Sequence, residues 1–275
     1  MVTGILVFVL YPMINALRYS FHRTDGVTGV FVGFDNYLWL FRDKNFHSAV
    51  YNTVLMALMS VSTGVVFCFI LASLINSLAR GKNFFKSVFF LPNVVSMVAA
   101  SILFSFLLHP SKAGLVNALL ALFGVKPVPW FSHPSLAPFS IIILNIWRSC
   151  GYDTIIFLAG LQSVPKEYYD ASQVDGANAF QRWLYITIPS VRPIIMFVII
   201  MYTINSLKRI SDVFMIGGLA GNPGGSLSTI VLYIYRNAWT AGQVGTASAA
   251  AYVLFLLSLS FTFLNYRVMK AGEVT

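Results

Sequence analysis

Six apolar runs divide the chain, each about 20 residues or more in length, and they constrain its fold more than any other feature. A helix rises 1.5 Å per residue, so about 20 apolar residues cross a hydrocarbon core about 30 Å thick. Only 10% of the 275 residues are charged, against roughly 25% in a soluble domain. The sequence therefore predicts an all-α integral membrane protein with six transmembrane helices.

We place the transmembrane helices at residues 3–21, 49–76, 87–108, 136–161, 193–214 and 245–266. Pro12, Pro92 and Pro138 lie inside or at the edges of these spans, but neighbouring groups in a helix bundle can satisfy the backbone groups that proline frees. We therefore keep the spans and predict one transmembrane domain over residues 1–275. No basic region precedes the first apolar run, so we expect this run to be retained rather than cleaved.

The net charge of +9 comes from 18 Lys and Arg against 9 Asp and Glu. Basic residues at a cytoplasmic membrane surface produce such a balance, and the sequence contains no recognisable nucleic-acid-binding module, so we predict no nucleic-acid partner. Lys and Arg are denser in the shorter connecting segments on one side of the membrane than in the longer segments on the other side. This difference favours a cytoplasmic position for the shorter segments and for both termini. The basic residues of the shorter segments are Arg80, Lys82, Lys86, Lys166, Arg182, Arg192, Arg267 and Lys270.

The cysteines and histidines do not predict a metal site. Cys68 and Cys150 lie inside apolar runs, which indicates buried packing residues rather than a disulfide or thiolate site. In the predicted orientation the four histidines lie at the outer face, and their spacing resembles no zinc signature. They are His22, His47, His109 and His133.

The segment between the fourth and fifth spans, residues 163–190, has the clearest local pattern. Pro165 suits the start of a helix, and Glu167 falls in the first turn, where the helix dipole favours an acid. Gly176 can take the left-handed conformation that ends a helix, and helical spacing resumes before Pro189. The sequence predicts a helix-turn-helix on the cytoplasmic face, which is either a lever for a partner protein or an ordinary interfacial connector.

The same segment resembles the E-A-A-x(3)-G-x(9)-I-x-L-P motif of permease subunits in ATP-binding-cassette (ABC) importers. The matching residues are Asp170, Ala171, Ser172, Gly176, Ile186, Ile188 and Pro189, with conservative changes at Asp170, Ser172 and Ile188. The resemblance implies a coupling helix that docks into a cleft of the ATPase subunit. It assigns this contact to Glu167, Asp170, Ala171, Ser172, Asp175, Gly176, Ala177 and Pro189.

The resemblance extends over nearly the whole chain. Residues 31–37, 45–46 and 52–53 look like the segment between the first two core helices of carbohydrate-importer permeases, and residues 114–117 are similar to the first permease of maltose-type and glycerol-phosphate-type systems. The usual T-G-G-P segment is altered here to residues 217–225.

This resemblance implies a type I ABC importer permease fold in a bacterial cytoplasmic membrane. The implied partners are a second homologous permease, two ATPase subunits, an extracytoplasmic solute-binding protein and a carbohydrate substrate. ATP and Mg²⁺ would be bound by the ATPase subunits, with no cofactor in this chain.

Polar residues inside two spans are candidates for a substrate pathway. Arg148 lies near the middle of the fourth span, where an arginine costs roughly 2.5 to 3.5 kcal/mol on insertion scales, and Tyr152 shares its helix face. The alternative for Arg148 is a structural pair with Asp153. In the fifth span, polar residues at i, i+3, i+4 and i+7 form one stripe. They are Tyr202, Asn205, Ser206 and Arg209.

These side chains suit a saccharide, because aromatic rings stack on sugar rings while Asn and Arg donate hydrogen bonds to hydroxyl or carboxylate groups. Asp153 and Asp212 are poorly aligned partners for Arg148 and Arg209 on a helix. Guanidinium groups without acidic partners would suit an acidic cargo. The sequence therefore raises the hypothesis of an acidic saccharide, such as an oligouronide, beside a neutral sugar.

No arrangement of residues predicts catalysis. The sequence has no Ser/His/Asp grouping on one side of the membrane and no Walker-type phosphate loop. We interpret the chain as a transport subunit whose energy comes from another chain. The alternatives are an ion-coupled secondary carrier of a small polar solute and a membrane-embedded enzyme.

Overall fold

The computed structural model describes residues 2–271. Its helices are α1 (Val2–Ser20), α2 (Asp35–Leu40), α3 (Lys44–Ser77), α4 (Lys82–Val94), α5 (Met97–Leu107), α6 (Leu115–Leu122), α7 (Ala137–Gln162), α8 (Lys166–Val174), α9 (Ala179–Ser190), α10 (Arg192–Leu207), α11 (Ser211–Gly217), α12 (Ile230–Tyr235) and α13 (Val244–Ala271). Single π-helical turns lie within α1 at Leu6–Leu10, within α9 at Trp183–Thr187, and after α12 at Arg236–Thr240.

A short hairpin is the one departure from the predicted all-α fold among the described residues. Strands β1 (His22–Thr24) and β2 (Gly29–Phe31) pair antiparallel directly after α1. The turn between them is closed by Asp25, whose Oδ1 accepts hydrogen bonds from the backbone N–H groups of Val27 and Thr28. These two hydrogen bonds lower the pKa of Asp25 because they stabilise its charged form.

Four of the described helices are long and apolar enough to cross a membrane, namely α1, α3, α7 and α13. They confirm the first, second, fourth and sixth predicted spans. The number rises to six if α4 with α5 and α9 with α10 each form one broken span. Each of these two pairs is bent by more than 40° at its break.

The prediction of a continuous third span over residues 87–108 was wrong. Pro92 lies inside α4, and the chain leaves helical conformation three residues later at Val95, where ψ is 130°. Proline disturbs the turn that precedes it, whereas α4 continues through Pro92 to Val94, so Pro92 alone does not account for a break on its C-terminal side. The third predicted span is therefore a bent pair of helices, and α4 and α5 meet at an angle of 98°.

The prediction of one helix over residues 193–214 was also wrong. Helix α10 ends at Leu207, and α11 begins only at Ser211. At the break, the Arg209 carbonyl accepts a hydrogen bond from the Thr229 hydroxyl at 2.9 Å, and Ile210 has φ −141°. The Thr229 hydroxyl thus satisfies this carbonyl at the point where the helix is interrupted.

The packing divides into two compact units. Unit 1 contains the described residues of Met1–Met56, Ser101–Ile141 and Leu207–Phe261, and unit 2 those of Ala57–Ala100, Ile142–Ser206 and Thr262–Thr275. Residues 1 and 272–275 of the predicted single domain lie outside the described residues. The single-domain assignment stays a prediction.

Unit 1 has its own buried core and a set of polar contacts that hold its loops. The core cluster consists of Met56, Ala137, Ile141, Val213, Leu227 and Leu232. The backbone N–H of Ile230 donates to the Thr53 hydroxyl at 2.9 Å, and the buried Tyr233 hydroxyl donates to Asp43 at 2.7 Å. Burial, followed by the hydrogen bond to the Asp43 carboxylate, raises the pKa of the Tyr233 phenol.

Two buried asparagines organise the loops of unit 1. The Asn36 side chain donates to the carbonyls of Ser20 and His22, and so fixes α2 against the end of α1. The Asn117 side chain both donates to the Val128 carbonyl and accepts from the Val128 N–H. Both asparagines thus satisfy backbone groups that helices and strands leave unpaired.

Unit 2 is built around one apolar cluster: Val65, Cys68, Phe69, Ala72, Ile75, Cys150, Phe157, Leu158, Leu161, Val164, Val191 and Val198. Both cysteines are buried and free, which confirms their prediction as packing residues. Helices approach closely where they carry glycine: a Cβ at Gly151 would overlap the backbone of Phe89, and one at Gly160 would lie 2.8 Å from Ile194. Small residues allow such close helix packing in membranes.

Candidate functional site

The predicted helix-turn-helix is present in residues 163–190. Helix α8 follows Pro165 and ends at Val174, and Gly176, two residues later, has a φ of +76°. The N–H of Ala177 donates to the Ser172 carbonyl at 2.9 Å, and the N–H of Gly176 donates to the Gln173 carbonyl at 3.1 Å. This pair of hydrogen bonds is a Schellman motif, and it requires the left-handed conformation that glycine adopts without strain.

Helix α9 begins three residues after Gly176, at Ala179, with a complete capping box. The Asn178 side chain accepts from the Gln181 N–H at 2.9 Å, and the Gln181 side chain accepts from the Asn178 N–H at 2.8 Å. The sequence reasoning missed this box, although an Asn followed three residues later by a Gln is its usual pattern. The turn between α8 and α9 is therefore closed from both sides by its own hydrogen bonds.

Aromatic residues join the two helices of this segment to each other and attach it to α3. The hydroxyls of Tyr169 and Thr187 lie 3.0 Å apart, and the Trp183 indole N–H donates to the Ser73 hydroxyl at 3.1 Å. Trp183 also lies against Phe69, with ring centroids 5.8 Å apart. None of these attachment residues was among the predicted site residues, because each acts through a partner that is distant in sequence.

The residues predicted to contact the ATPase differ in exposure. Six are exposed: Glu167, Asp170, Ala171, Asp175, Gly176 and Pro189. Ala177 is half-buried, and Ser172 is buried with its hydroxyl donating to the Tyr169 carbonyl at 2.7 Å. The Ser172 side chain is therefore packed against its own helix and is not part of the exposed face of the segment.

Apolar side chains enlarge the exposed face of this segment. Val174 is 90% exposed, and Tyr168, Phe180 and Tyr185 are also exposed. Together with Glu167, Asp170 and Asp175, they form what we call the coupling face. Exposed apolar groups rimmed by charge are typical of protein-binding surfaces.

In α7, Arg148 is half-buried and Tyr152 is exposed. The Arg148 Nε is buried and has no hydrogen-bond partner among the described residues. Asp153 is buried and accepts hydrogen bonds from Ser149 and Tyr202 instead. Within residues 2–271, no ion pair joins Arg148 to Asp153, so the alternative of a structural pair is not observed.

The predicted stripe on α10 contains residues in different environments. Tyr202 packs on Gly64 so closely that a Cβ there would lie 2.6 Å from the tyrosine ring. Its hydroxyl lies 3.1 Å from the Ser149 hydroxyl. Asn205 is exposed, whereas Ser206 is buried. Tyr202 is therefore a packing residue of unit 2, whereas Asn205 is available for contact.

Arg209 does not continue this stripe, because it follows the end of α10 and belongs to unit 1. Its Nη1 lies 2.8 Å from Asp212 Oδ2, and both side chains are buried. The expectation that Asp212 would be poorly aligned was wrong. Residues three apart along a helical turn are close enough for such a pair.

Comparisons with known proteins agree with this architecture. Residues 64–271 match the family of binding-protein-dependent transport system inner membrane components. The trehalose/maltose transport system permease protein MalF of Thermococcus litoralis is 31% identical over 98% of this chain and 90% of its own. The lactose transport system permease protein LacF of Rhizobium radiobacter is 34% identical over 95% of this chain and 89% of its own.

A solved structure also matches. A chain of a bacterial ABC transporter involved in the import of the acidic polysaccharide alginate superposes with a TM-score of 0.83 and 25% identity, over 98% of this chain and 92% of that one.

The chain belongs to the family of binding-protein-dependent transport system inner membrane components. It is a multi-pass inner-membrane permease subunit of an ABC importer, which operates with a binding protein and ATPase subunits. ATP is bound by the ATPase, and this chain is not a catalytic subunit. This membership excludes the secondary carrier and the membrane-embedded enzyme.

Proposed function

We propose that this permease imports a carbohydrate delivered by its solute-binding protein, in a complex with a second homologous permease and two ATPase subunits. The relatives named for trehalose/maltose and for lactose transport support a sugar cargo. The observation that carries the proposal is the segment of residues 163–190, an exposed helix-turn-helix whose two helices are joined to each other and attached to α3.

In this proposal the coupling face docks into a cleft of the ATPase. Closure of the ATPase pair on ATP moves α8, and the contacts of Tyr169 with Thr187 and of Trp183 with Ser73 transmit that movement to α9 and α3. The membrane part then exchanges inward-facing and outward-facing states. Such an exchange needs only that each partner binds one state better than the other.

The substrate pathway is proposed to include Arg148, Tyr152 and Asn205. The Arg148 side chain supports this role because its buried Nε has no hydrogen-bond partner among the described residues. Tyr152 and Asn205 are included because their side chains are exposed. Tyr202 and Ser206 are proposed to support the pathway from within the packing rather than to contact cargo.

The finer proposal of an acidic cargo, such as an oligouronide, rests on Arg148 alone, since Arg209 is paired with Asp212. A guanidinium can form paired, charge-assisted hydrogen bonds to a carboxylate. The test compares uptake of a uronate oligomer with uptake of a neutral oligosaccharide of equal length. An acidic cargo predicts preference for the uronate, reduced by Arg148→Gln; equal uptake of the neutral sugar contradicts it.

The proposed function is tested by reconstituting the two permeases and the two ATPase subunits in vesicles, with the binding protein added. Radiolabelled sugar should accumulate only when ATP and the binding protein are both present. Omission of the second permease should abolish uptake. Uptake without ATP, or by this chain alone, would contradict the proposal.

A further inference from the structure

Helix α6 of unit 1 has the reverse polarity of a surface helix in a soluble protein. Its one polar residue, Asn117, is fully buried, whereas its exposed positions are apolar. These positions follow the spacing i, i+4, i+7 and i+8, which places them on one helix face. We call this face the α6 stripe. It consists of Leu115, Leu119, Leu122 and, one residue past the helix end, Phe123, and these side chains are 53% to 84% exposed.

Hydrogen bonds of Asn117 fix the outward direction of the α6 stripe. Its Nδ2 donates to the carbonyls of His109 and Val128, both at 2.9 Å. Its Oδ1 accepts from the Val128 N–H at 2.9 Å and from the Trp130 indole N–H at 3.2 Å. A rotation of α6 that buried the stripe would break all four hydrogen bonds. The exposure of the stripe is therefore set by the packing of the loop.

Helix α6 lies directly against the end of a membrane-spanning segment. Helix α5 ends at Leu107, and together with α4 it is long and apolar enough to form one bent span. A Cβ at Gly114 would lie 2.5 Å from the His109 carbonyl oxygen, so the start of α6 is in contact with the residues that follow α5. The exposed apolar surface of α5 thus continues onto α6. On α5 this surface consists of Ile102, Leu103 and Phe106.

The charges around α6 are exclusively positive. Residues 108–136 contain no Asp or Glu. Lys112 precedes the helix and Lys126 follows it, and both are exposed. Lysines that flank an apolar helix can extend their ammonium groups to the phosphates of lipid headgroups. The segment therefore combines an apolar face with cationic ends.

This combination fits a lipid surface better than a protein partner. Protein interfaces are only about 56–58% non-polar in area, rising to about 65% in homodimers, and they have a polar rim. The α6 stripe carries no polar side chain, and between Lys112 and Lys126 the one polar side chain is the buried Asn117. A docked binding protein or second permease would therefore find no hydrogen-bonding side chain on this face.

We propose that α6 lies in the bilayer interface, with the α6 stripe at the boundary of the acyl chains and with Lys112 and Lys126 at the lipid phosphates. Interfacial helices bury their apolar face about 5–10 Å into this boundary. Helix α7 crosses the membrane between α6 and the coupling face in the chain, so α6 occupies the leaflet opposite the coupling face. The inference goes beyond the proposed function and requires no step of it.

The test uses the complete permease–ATPase complex in vesicles of phosphatidylglycerol and phosphatidylethanolamine. A spin label is attached to Leu119→Cys or to Phe123→Cys, and power-saturation EPR compares its collisions with oxygen, which partitions into lipid, and with a water-soluble nickel chelate. The signal of the unmodified complex after the same labelling is subtracted. Both labels should collide more with oxygen than with nickel.

Val27→Cys is the matched control. Val27 is also an exposed apolar residue of unit 1, at 93% exposure, but it lies in the hairpin turn beside the Asp25 carboxylate. Its label should collide more with nickel than with oxygen.

Two results would overturn the proposal. More collisions with nickel than with oxygen at both α6 positions would place the stripe in water. Few collisions with either reagent would mean that a protein covers it. The measurement is repeated with the binding protein added, and the ratio of oxygen to nickel collisions should not change. A fall in both collision rates on this addition would identify the stripe as a docking surface for the binding protein.

The lysines are tested by replacing Lys112 and Lys126 together with Glu. The carboxylates would be repelled by the lipid phosphates, so the ratio of oxygen to nickel collisions at the Leu119 label should fall. Replacing Arg42 and Lys44 together with Glu is the control, because it makes the same charge change in the segment before α3. An unchanged ratio in the lysine variant would overturn the placement of the lysines at the phosphates.

These measurements use neither sugar nor ATP. A failure of the lipid contact therefore leaves the proposed import function standing, and a failure of sugar uptake leaves the lipid contact standing.

Discussion

The hydroxyl of Tyr169 on the exposed helix α8 lies 3.0 Å from that of Thr187 on α9, the helix that precedes α10. Thr187 is buried and lies in a π-helical turn, so this contact ends inside unit 2. A displacement of α8 therefore reaches α9 through a side-chain contact as well as through the connecting turn.

Loss of this contact should weaken coupling. We expect Tyr169→Phe to cost about 0.5 to 1.5 kcal/mol of stability, the usual contribution of one hydrogen bond. Sugar transported per ATP hydrolysed should fall while ATP hydrolysis continues, as measured in reconstituted vesicles. Tyr266→Phe is the control, since Tyr266 is exposed on α13, outside the coupling face. Unchanged transport per ATP in Tyr169→Phe would contradict transmission through this hydroxyl.

The loss of activity caused by a substitution at Gly176 should depend on how readily the new residue adopts a positive φ. Nothing lies within 4 Å of a Cβ at this position, so backbone conformation rather than space limits the choice. Non-glycine residues pay roughly 1 to 2 kcal/mol in the left-handed region, and asparagine enters it more readily than other residues do. We expect Gly176→Val to abolish binding-protein-stimulated ATP hydrolysis and Gly176→Asn to retain much of it. Equal activity of the two variants would contradict this role of the turn.

Gly64 and Tyr202 should be energetically coupled, because a Cβ at Gly64 would lie 2.6 Å from the Tyr202 ring. Gly64→Ala and Tyr202→Ala should each destabilise the complex, as measured by thermal unfolding. Tyr202→Ala should cost about 3 to 5 kcal/mol, as truncations of large buried aromatic residues do. The double variant should be less destabilised than the sum of the two single variants. Strict additivity would mean that the two residues do not form a packing pair.

The buried pair of Arg209 and Asp212 should support folding rather than cargo selection. Removing one partner of a buried ion pair typically costs about 3 to 5 kcal/mol, because the other charge is left uncompensated. We therefore expect Arg209→Gln to lower the melting temperature without changing the ratio of uronate to neutral uptake. Arg148→Gln serves as the comparison. A changed ratio in Arg209→Gln would return Arg209 to the substrate pathway.

The features that depend on neighbouring residues could be predicted from the sequence. Pro165, Glu167 and Gly176 set the limits of α8 by local backbone preferences and helix electrostatics, and the structure has the helix where they indicated. The hydrophobic length criterion likewise identified four continuous spans. Both rest on interactions within a few residues along the chain.

The remaining features depend on contacts between distant residues. Helical periodicity placed Tyr202 on one face of a helix, but it could not identify Gly64 as the residue against that face. It also extended α10 through Arg209, since the Thr229 hydroxyl that satisfies the Arg209 carbonyl is 20 residues away. The hydrogen bond from Asn52 to the Gly225 carbonyl was missed for the same reason, because the two residues are separated by 173 positions.

The turn at Gly176 has a consequence for assembly of the transporter. Its Schellman hydrogen bonds and the capping box of Asn178 and Gln181 involve only this chain. The shape of the turn is therefore specified by the permease's own residues. Under the proposed docking, the ATPase binds a turn that is already formed, and little conformational entropy is lost there on association.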